Sequence, residues 1–428
     1  MKKAFKFAIA LAVIAAGGSA LVWALNVRDE VDVKAPVASA APSDGLIARG
    51  AYLARAGNCQ ACHTAQGGQP YAGGRGIATP FGTVFTSNLT PDDKTGIGGW
   101  SSTHFWRAMH NGRSKDGRLL YPAFPYTSYT QVTREDSDAL YAYLRSLPPV
   151  VAPNLPHALR FPYQSQAALA VWRALFFSPG VYEPDTARGT EWNRGAYLVK
   201  GLGHCAACHT ARNALGGSDQ GLDLAGGLIP MQNWYAPSLA SPYEAGVGDW
   251  DKQHIVSLLK NGVSPRASVT GPMAEVVQRS TQYLSDADLG AMAQFLKELP
   301  PSHTAPPEPA AIKTQGESVE RAAKLYEQHC AQCHGAKGEG IANAYPALAG
   351  NRAVTMGQAV NLVQIVLNGG YAPATEGNPR PFGMPPFVLV LNDADMGLVL
   401  THIRQSWGNR ASEITPLEVN RIRASTGR

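Results

Sequence analysis

Gly201-Leu202-Gly203-His204-Cys205-Ala206-Ala207-Cys208-His209-Thr210 is the stretch that decides this sequence. Two cysteines three apart, followed at once by a histidine, fall on one face of a single helical turn. Two thiols can then bond to the vinyl groups of a haem while the neighbouring imidazole reaches the iron from the same side. The pattern occurs three times: Cys59 and Cys62 with His63, Cys205 and Cys208 with His209, Cys330 and Cys333 with His334. One Cys-x-x-Cys alone also fits a redox-active dithiol or half a zinc site. Three copies, each with its histidine and together using all six cysteines, imply three covalently bound haem c groups and their iron. No spare thiol remains, as expected of an oxidising compartment.

Working outward, each motif sits inside a longer repeat. Arg49-Gly50-Ala51-Tyr52-Leu53, Arg194-Gly195-Ala196-Tyr197-Leu198 and Arg321-Ala322-Ala323-Lys324-Leu325 each open a helix that leads into a motif. Thr133-x-x-Asp136, Ser285-x-x-Asp288 and Asn392-x-x-Asp395 each cap a closing helix. Pro148-Pro149 and Pro300-Pro301 stop two of these closing helices. Between the ends lies a middle helix finishing in Asn111-Gly112, Asn261-Gly262 or Asn368-Gly369. Strand patterning is weak, so the expected fold is all-α, with three tandem haem-binding domains behind an N-terminal anchor or signal segment.

The expected boundaries are 1–43 for that segment, 44–150 for the first domain and 151–190 for a connecting helix. The second domain takes 191–301, a Pro-rich linker 302–317, the third domain 318–410 and a tail 411–428. The connecting stretch holds Ala168, Leu169, Val171, Trp172, Leu175, Phe176 and Phe177, apolar on more than one side, and reads as an interdomain packing helix or a docking surface. At the N-terminus Lys2, Lys3 and Lys6 precede an apolar run from Phe7 to Leu25. Cleavage after Gly18-Ser19-Ala20 or Ala38-Ser39-Ala40 would make it a signal peptide. An uncleaved anchor is favoured, because about 19 apolar residues just span a bilayer. The lysines hold their end in the cytoplasm, so both readings send the rest to the periplasm. The net charge of +5 gives no case for nucleic acid, since three haems bring roughly −6 of propionate charge.

His63, His209 and His334 are the expected proximal iron ligands. For the sixth position, Met273 in Gly271-Pro272-Met273 and Met384 in Gly383-Met384-Pro385-Pro386 follow their Asn-Gly stops on Pro-containing loops. The first repeat departs from this, because Phe124 falls within one residue of the methionine position. Met109, aligned with Leu259, is the candidate there; His110, His104 or an open iron are the alternatives. His157, His204, His254, His303, His329 and His402 are expected to be bland, with His204 and His329 exposed beside their cysteines.

The stretches Trp192–Val199 and Gly201–Thr210, Thr86–Pro91, Asp116-Gly117-Arg118 with Leu120–Tyr126, and Leu175–Phe177 resemble a known family. It is the triheme cytochrome c subunit of membrane-bound quinone-linked dehydrogenases of acetic acid and related bacteria, and the likeness covers residues 44–410. It implies three cytochrome c domains passing electrons from a separate catalytic dehydrogenase subunit to ubiquinone at the periplasmic face of the membrane. Members paired with quinoprotein alcohol dehydrogenases carry methionine where Phe124 stands. The resemblance therefore favours a molybdenum/iron–sulfur aldehyde-oxidising partner. Other classes are a peroxidase-like haem enzyme using an open first iron, and a soluble periplasmic carrier.

Overall fold

Helix limits in each repeat are set locally. The computed structural model describes residues 2–28, 30, 33, 41–218, 223–302, 316–342 and 344–426. The opening helices are Asp44–Ala56, Thr190–Lys200 and Glu317–His329. The closing helices are Arg134–Ser146, Asp286–Lys297 and Asp393–Gln405. Thr133, Ser285 and Asn392 accept, through side-chain oxygens, from the backbone N–H of Asp136, Asp288 and Asp395, as capping requires. The middle helices, Ser102–Asn111, Lys252–Asn261 and Val360–Asn368, end where Gly112, Gly262 and Gly369 take φ of 57°, 75° and 66°. A side chain is strained at such angles, and glycine is not.

Opening and closing helices cross very closely. A Cβ on Gly50 would lie 1.9 Å from the Ala139 carbonyl oxygen, and one on Gly195 would lie 1.9 Å from that of Ala291. The arginine before each small residue pairs with the aspartate in the first turn of the closing helix. Arg49 meets Asp136 at 2.5 Å, Arg194 meets Asp288 at 2.7 Å and Arg321 meets Asp395 at 2.6 Å. Each aspartate thus serves both its own helix start and the helix packed against it. In the third repeat the small residue is Ala322, which is buried. Gly195→Ala is expected to destabilise the haem-loaded protein by about 1–3 kcal/mol through overpacking. Thermal unfolding measures it, and an unchanged Tm would show that the two helices separate freely.

Short antiparallel ladders join the helices. Gly76–Thr79 pairs with Gly82–Phe85, with Ile77 opposite Val84, and Ala158–Leu159 adds a third strand. Gly227–Ile229 pairs with Trp234–Ala236, with Leu228 opposite Tyr235. Two-residue ladders join Val263–Ser264 to Ala267–Ser268 and Gly370–Tyr371 to Gly383–Met384. Strands of two to four residues are too short for alternation to register in a sequence.

The described chain divides into two compact units: Met1–Pro184 with Val199–His204 and Asn213–Ser218, and Asp185–Leu198 with Cys205–Arg212 and Asp219–Arg428. In the first, the N-terminal helix Lys2–Val27 contains a 25-residue stretch, Lys3–Val27, whose most apolar 18 residues have a mean hydropathy of 2.2, long enough to cross a membrane. Its last turn rests on the connecting helix Gln166–Phe176. Asn26 donates to the Ala170 carbonyl at 2.9 Å and accepts from Arg173 Nε at 2.9 Å. Arg173 is 3% exposed and stacks on Tyr126 and Phe177. Glu30 follows and pairs with Arg113 at 2.9 Å. In the second unit, Val363, Met396, Val399 and Leu400 form the centre of one core. The tail contributes a helix, Pro416–Thr426, whose Val419 and Ile422 enter that core. Residues 303–315, which include His303 and most of the Pro-rich stretch, and Ala38-Ser39-Ala40 lie outside the described residues.

Candidate haem sites

Each cysteine pair forms one helical turn. The backbone N–H of His63, His209 and His334 donates to the carbonyl of Cys59, Cys205 and Cys330 at 3.0, 2.9 and 2.9 Å. This i to i+4 bond closes the turn and puts both thiols and the imidazole on one side. None of the six cysteines is in a disulfide; Cys62 and Cys208 are exposed, while Cys59, Cys205, Cys330 and Cys333 are half-buried. Burial pushes the Cys59 and Cys205 thiols up to about 12 and Cys330 to about 11, with the second cysteine of each pair adding to the rise. A reactive dithiol needs the opposite shift, towards thiolate.

The three histidines share one further feature. His63 Nδ1 bonds the Ser87 carbonyl at 2.7 Å, His209 Nδ1 the Pro237 carbonyl at 2.7 Å, and His334 Nδ1 the Pro346 carbonyl at 2.9 Å. A carbonyl only accepts, so Nδ1 carries the proton and Nε2 presents its lone pair. Such a partner fixes the tautomer and ring plane of a metal-bound histidine. Burial holds all three imidazoles below the ordinary histidine range, in the neutral form a metal needs. The loop beyond each histidine returns to it: Gly73, Gly226 and Gly340 donate to the carbonyls of His63, His209 and His334 at 2.9, 2.8 and 2.8 Å. No group of three or more His, Cys, Asp or Glu side chains converges among the described residues.

The third site shows its cavity directly. Cys330, His334 and Met384 line it with Leu362, Val366 and Leu400, and its volume is about 160 Å³. An apolar slot with the Cys330 thiol, an imidazole and a thioether in its lining fits a haem attached through the Cys330 and Cys333 pair.

A sequence model of the cytochrome c family matches residues 47–148, 193–300 and 319–407, which contain the three motifs. The chain belongs to the cytochrome c family. That family binds haem c covalently and carries electrons. Among curated proteins, the cytochrome c subunit of the quinone alcohol dehydrogenase of Gluconacetobacter polyoxogenes is 39% identical over 88% of this chain and 84% of the relative. The gluconate 2-dehydrogenase cytochrome c subunit of Pantoea cypripedii is 37% identical over 89% and 90%. The fructose dehydrogenase cytochrome subunit of Gluconobacter japonicus is 34% identical over 94% of this cytochrome and 87% of the relative.

The remaining candidates fall in different settings. Met384 is in the ladder Gly383–Met384, and Met273 is in the first turn of the helix Pro272–Arg279 rather than in a loop. The register of the first and second repeats is fixed by Leu120 N–H donating to Gly112 O and Val269 N–H to Gly262 O, both at 2.8 Å. Phe124 and Met273 each follow four residues later, so phenylalanine stands in the methionine's own place. Phe124 packs on Tyr129, 5.3 Å between ring centres. Tyr129 OH donates to Gly57 O at 3.2 Å, two residues before Cys59, which sets this loop beside the first Cys-x-x-Cys-His turn. Met109 is 5% exposed on the middle helix, two residues before its Asn-Gly asparagine. The equivalent residue of the third repeat, Val366, lines the cavity.

His104 and His110 have other employment. His104 Nδ1 accepts from Ser101 N–H at 3.1 Å and closes a capping box. His110 stacks on Trp106 at 4.6 Å and donates to the Thr130 carbonyl at 2.9 Å. Its equivalent, Lys260, reaches Leu284 O and Asp286 at the start of the closing helix. His204 is not exposed as expected: it is half-buried, with its ring 5.6 Å from that of Tyr129. His329 is likewise half-buried, beside Phe387. Neither burial has a signature in the flanking sequence.

Proposed function

We propose that this cytochrome is a three-haem electron-transfer subunit, built as three tandem cytochrome c domains and held to the periplasmic face of the inner membrane. The observation that carries this reading is the threefold recurrence of one arrangement: a Cys-x-x-Cys-His turn whose histidine is oriented by a backbone carbonyl. Cys59, Cys62, Cys205, Cys208, Cys330 and Cys333 would hold the haems, with His63, His209 and His334 as proximal ligands and Met109, Met273 and Met384 as distal ones. When bound, the haem iron supplies one-electron redox chemistry, and a thioether ligand raises its potential. The chain's own part is to fix each imidazole, exclude water and space the sites.

The relatives named for quinone alcohol and gluconate dehydrogenases support a catalytic dehydrogenase subunit as electron donor and ubiquinone as acceptor. The phenylalanine at position 124 favours a molybdenum/iron–sulfur aldehyde-oxidising donor over a quinoprotein alcohol dehydrogenase. Retention of the N-terminal helix is supported by Asn26. Cleavage that removed it would take one hydrogen-bond acceptor from the buried Arg173, which also bonds Gly112 O and stacks on Tyr126 and Phe177, and a buried donor that loses its acceptor costs about 1–3 kcal/mol. Extraction of the native protein from membranes, with intact-mass measurement, tests the reading. The expected species is the chain with Lys2–Val27 present and three covalent haems, co-purifying with a dehydrogenase that reduces ubiquinone. A mature chain beginning beyond Val27, or fewer than three haems, would overturn it.

A further inference from the structure

Tyr235 is the central residue of the strand Trp234–Ala236, and it faces Leu228 across the ladder. Its own N–H and C=O turn to the opposite edge, where one side chain satisfies both. Asn361 accepts from Tyr235 N–H at 2.8 Å and donates to Tyr235 O at 2.7 Å, so its amide acts as a strand one residue long. Gln364, one turn further along the same middle helix, donates to Asn233 O at 3.1 Å. An exposed strand edge is normally paired or covered, and here it is covered by residues of the next repeat.

The two ends of this clamp lie at two haem sites. Two residues after Tyr235 comes Pro237, whose carbonyl orients His209 at 2.7 Å. At the other end, Asn361 lines the cavity that also contains Cys330, His334 and Met384. The intervening strand has little freedom, because the Glu244 carboxylate accepts from Tyr235 OH at 3.0 Å and from Ser238 N–H at 2.6 Å. A continuous run of covalent and hydrogen bonds therefore joins the proximal side of the second site to the wall of the third.

We propose that Asn361 is a positioning residue for direct electron exchange between the haems held by His209 and His334, joining the strand that orients one to the wall of the other. The inference rests on the three-haem reading above. One electron leaves the iron at His209 and arrives at the iron at His334, or the reverse, and no bond or proton changes place. The exchange needs no partner protein, because both ends of the clamp belong to one chain.

The test uses the full-length, haem-loaded protein. Haem is counted first, and a wild-type count below three overturns the three-haem reading rather than the clamp. The protein is then photoreduced and freeze-quenched, and the redistribution of the electron is followed by the separate EPR signals of the haems. Asn361→Leu is expected to slow exchange between the second and third haems by roughly tenfold, the scale on which outer-shell partners act, with all three potentials unchanged. Asn361→Asp keeps the acceptor for Tyr235 N–H and loses the donor, and it is expected to fall between. Arg352→Gln is the control for simple loosening. It removes the ties of Arg352 to Asp249 at 2.9 Å and to Gly246 O at 2.7 Å, between the same two repeats, and leaves Asn361 in place. Arg352→Gln is expected to exchange at the wild-type rate. A wild-type rate in Asn361→Leu, or equal slowing in Arg352→Gln, overturns the proposal. If Asn361→Leu fails to load its third haem, the same comparison is made between Asn361→Asp and Arg352→Gln.

Discussion

Met109→Leu is expected to turn one of the three low-spin haems into a high-spin haem that binds carbon monoxide. Two places in the first repeat are candidates for the distal side of its proposed haem. The loop place, methionine in the second repeat, is held by Phe124, which has no atom able to ligate iron. The helix place is Met109, buried and equivalent to Val366, which lines the third cavity. His104 closes the helix cap through Ser101, and His110 is stacked on Trp106 and bonded to the Thr130 carbonyl. Leucine keeps the volume and removes the sulfur, so folding is retained while the proposed sixth ligand is lost. The potential of that haem is expected to fall as well, because thioether ligation raises it. EPR and near-infrared spectra of the purified variant read the result. Three unchanged low-spin haems would remove Met109 from the ligand set.

The second large effect is expected from replacing Cys330 and Cys333 together by serine. Haem count should fall from three to two, and the third repeat should lose much of its stability. Its core residues Leu362, Val366, Val399 and Leu400 surround the cavity as well as one another. A 160 Å³ apolar cavity left unfilled costs about 4 kcal/mol at ~24 cal/mol per Å³. That is a large share of what holds a domain of this size together. Thermal unfolding should therefore gain an early transition, while the first two haems keep their spectra. A variant that still carries three covalent haems would show that these cysteines are not the attachment.

The features legible in the sequence were local ones. The Cys-x-x-Cys-His turns, the N-caps at Thr133, Ser285 and Asn392, and the Asn-Gly stops each lie within one or two turns of chain. In such short spans side-chain identity and backbone geometry determine each other. Arg49 with Gly50 and Thr133 with Asp136 were both legible as motifs, but only as separate ones. Their meeting as an ion pair, repeated at Arg194–Asp288 and Arg321–Asp395, follows from how the helices cross.

The three attachment motifs, with their histidines, and the helix ends were thus determined by the sequence itself. Tertiary structure alone decided what orients those histidines, namely the carbonyls of Ser87, Pro237 and Pro346, which lie 24, 28 and 12 residues away. It also decided that Met109 is buried on its helix while Phe124 holds the loop place, and that Asn361 clamps Tyr235. The reason is physical. Every residue carries a carbonyl, so an acceptor chosen by the fold leaves no trace in side-chain identity, whereas a thiol or an imidazole at a fixed spacing declares its chemistry in the chain.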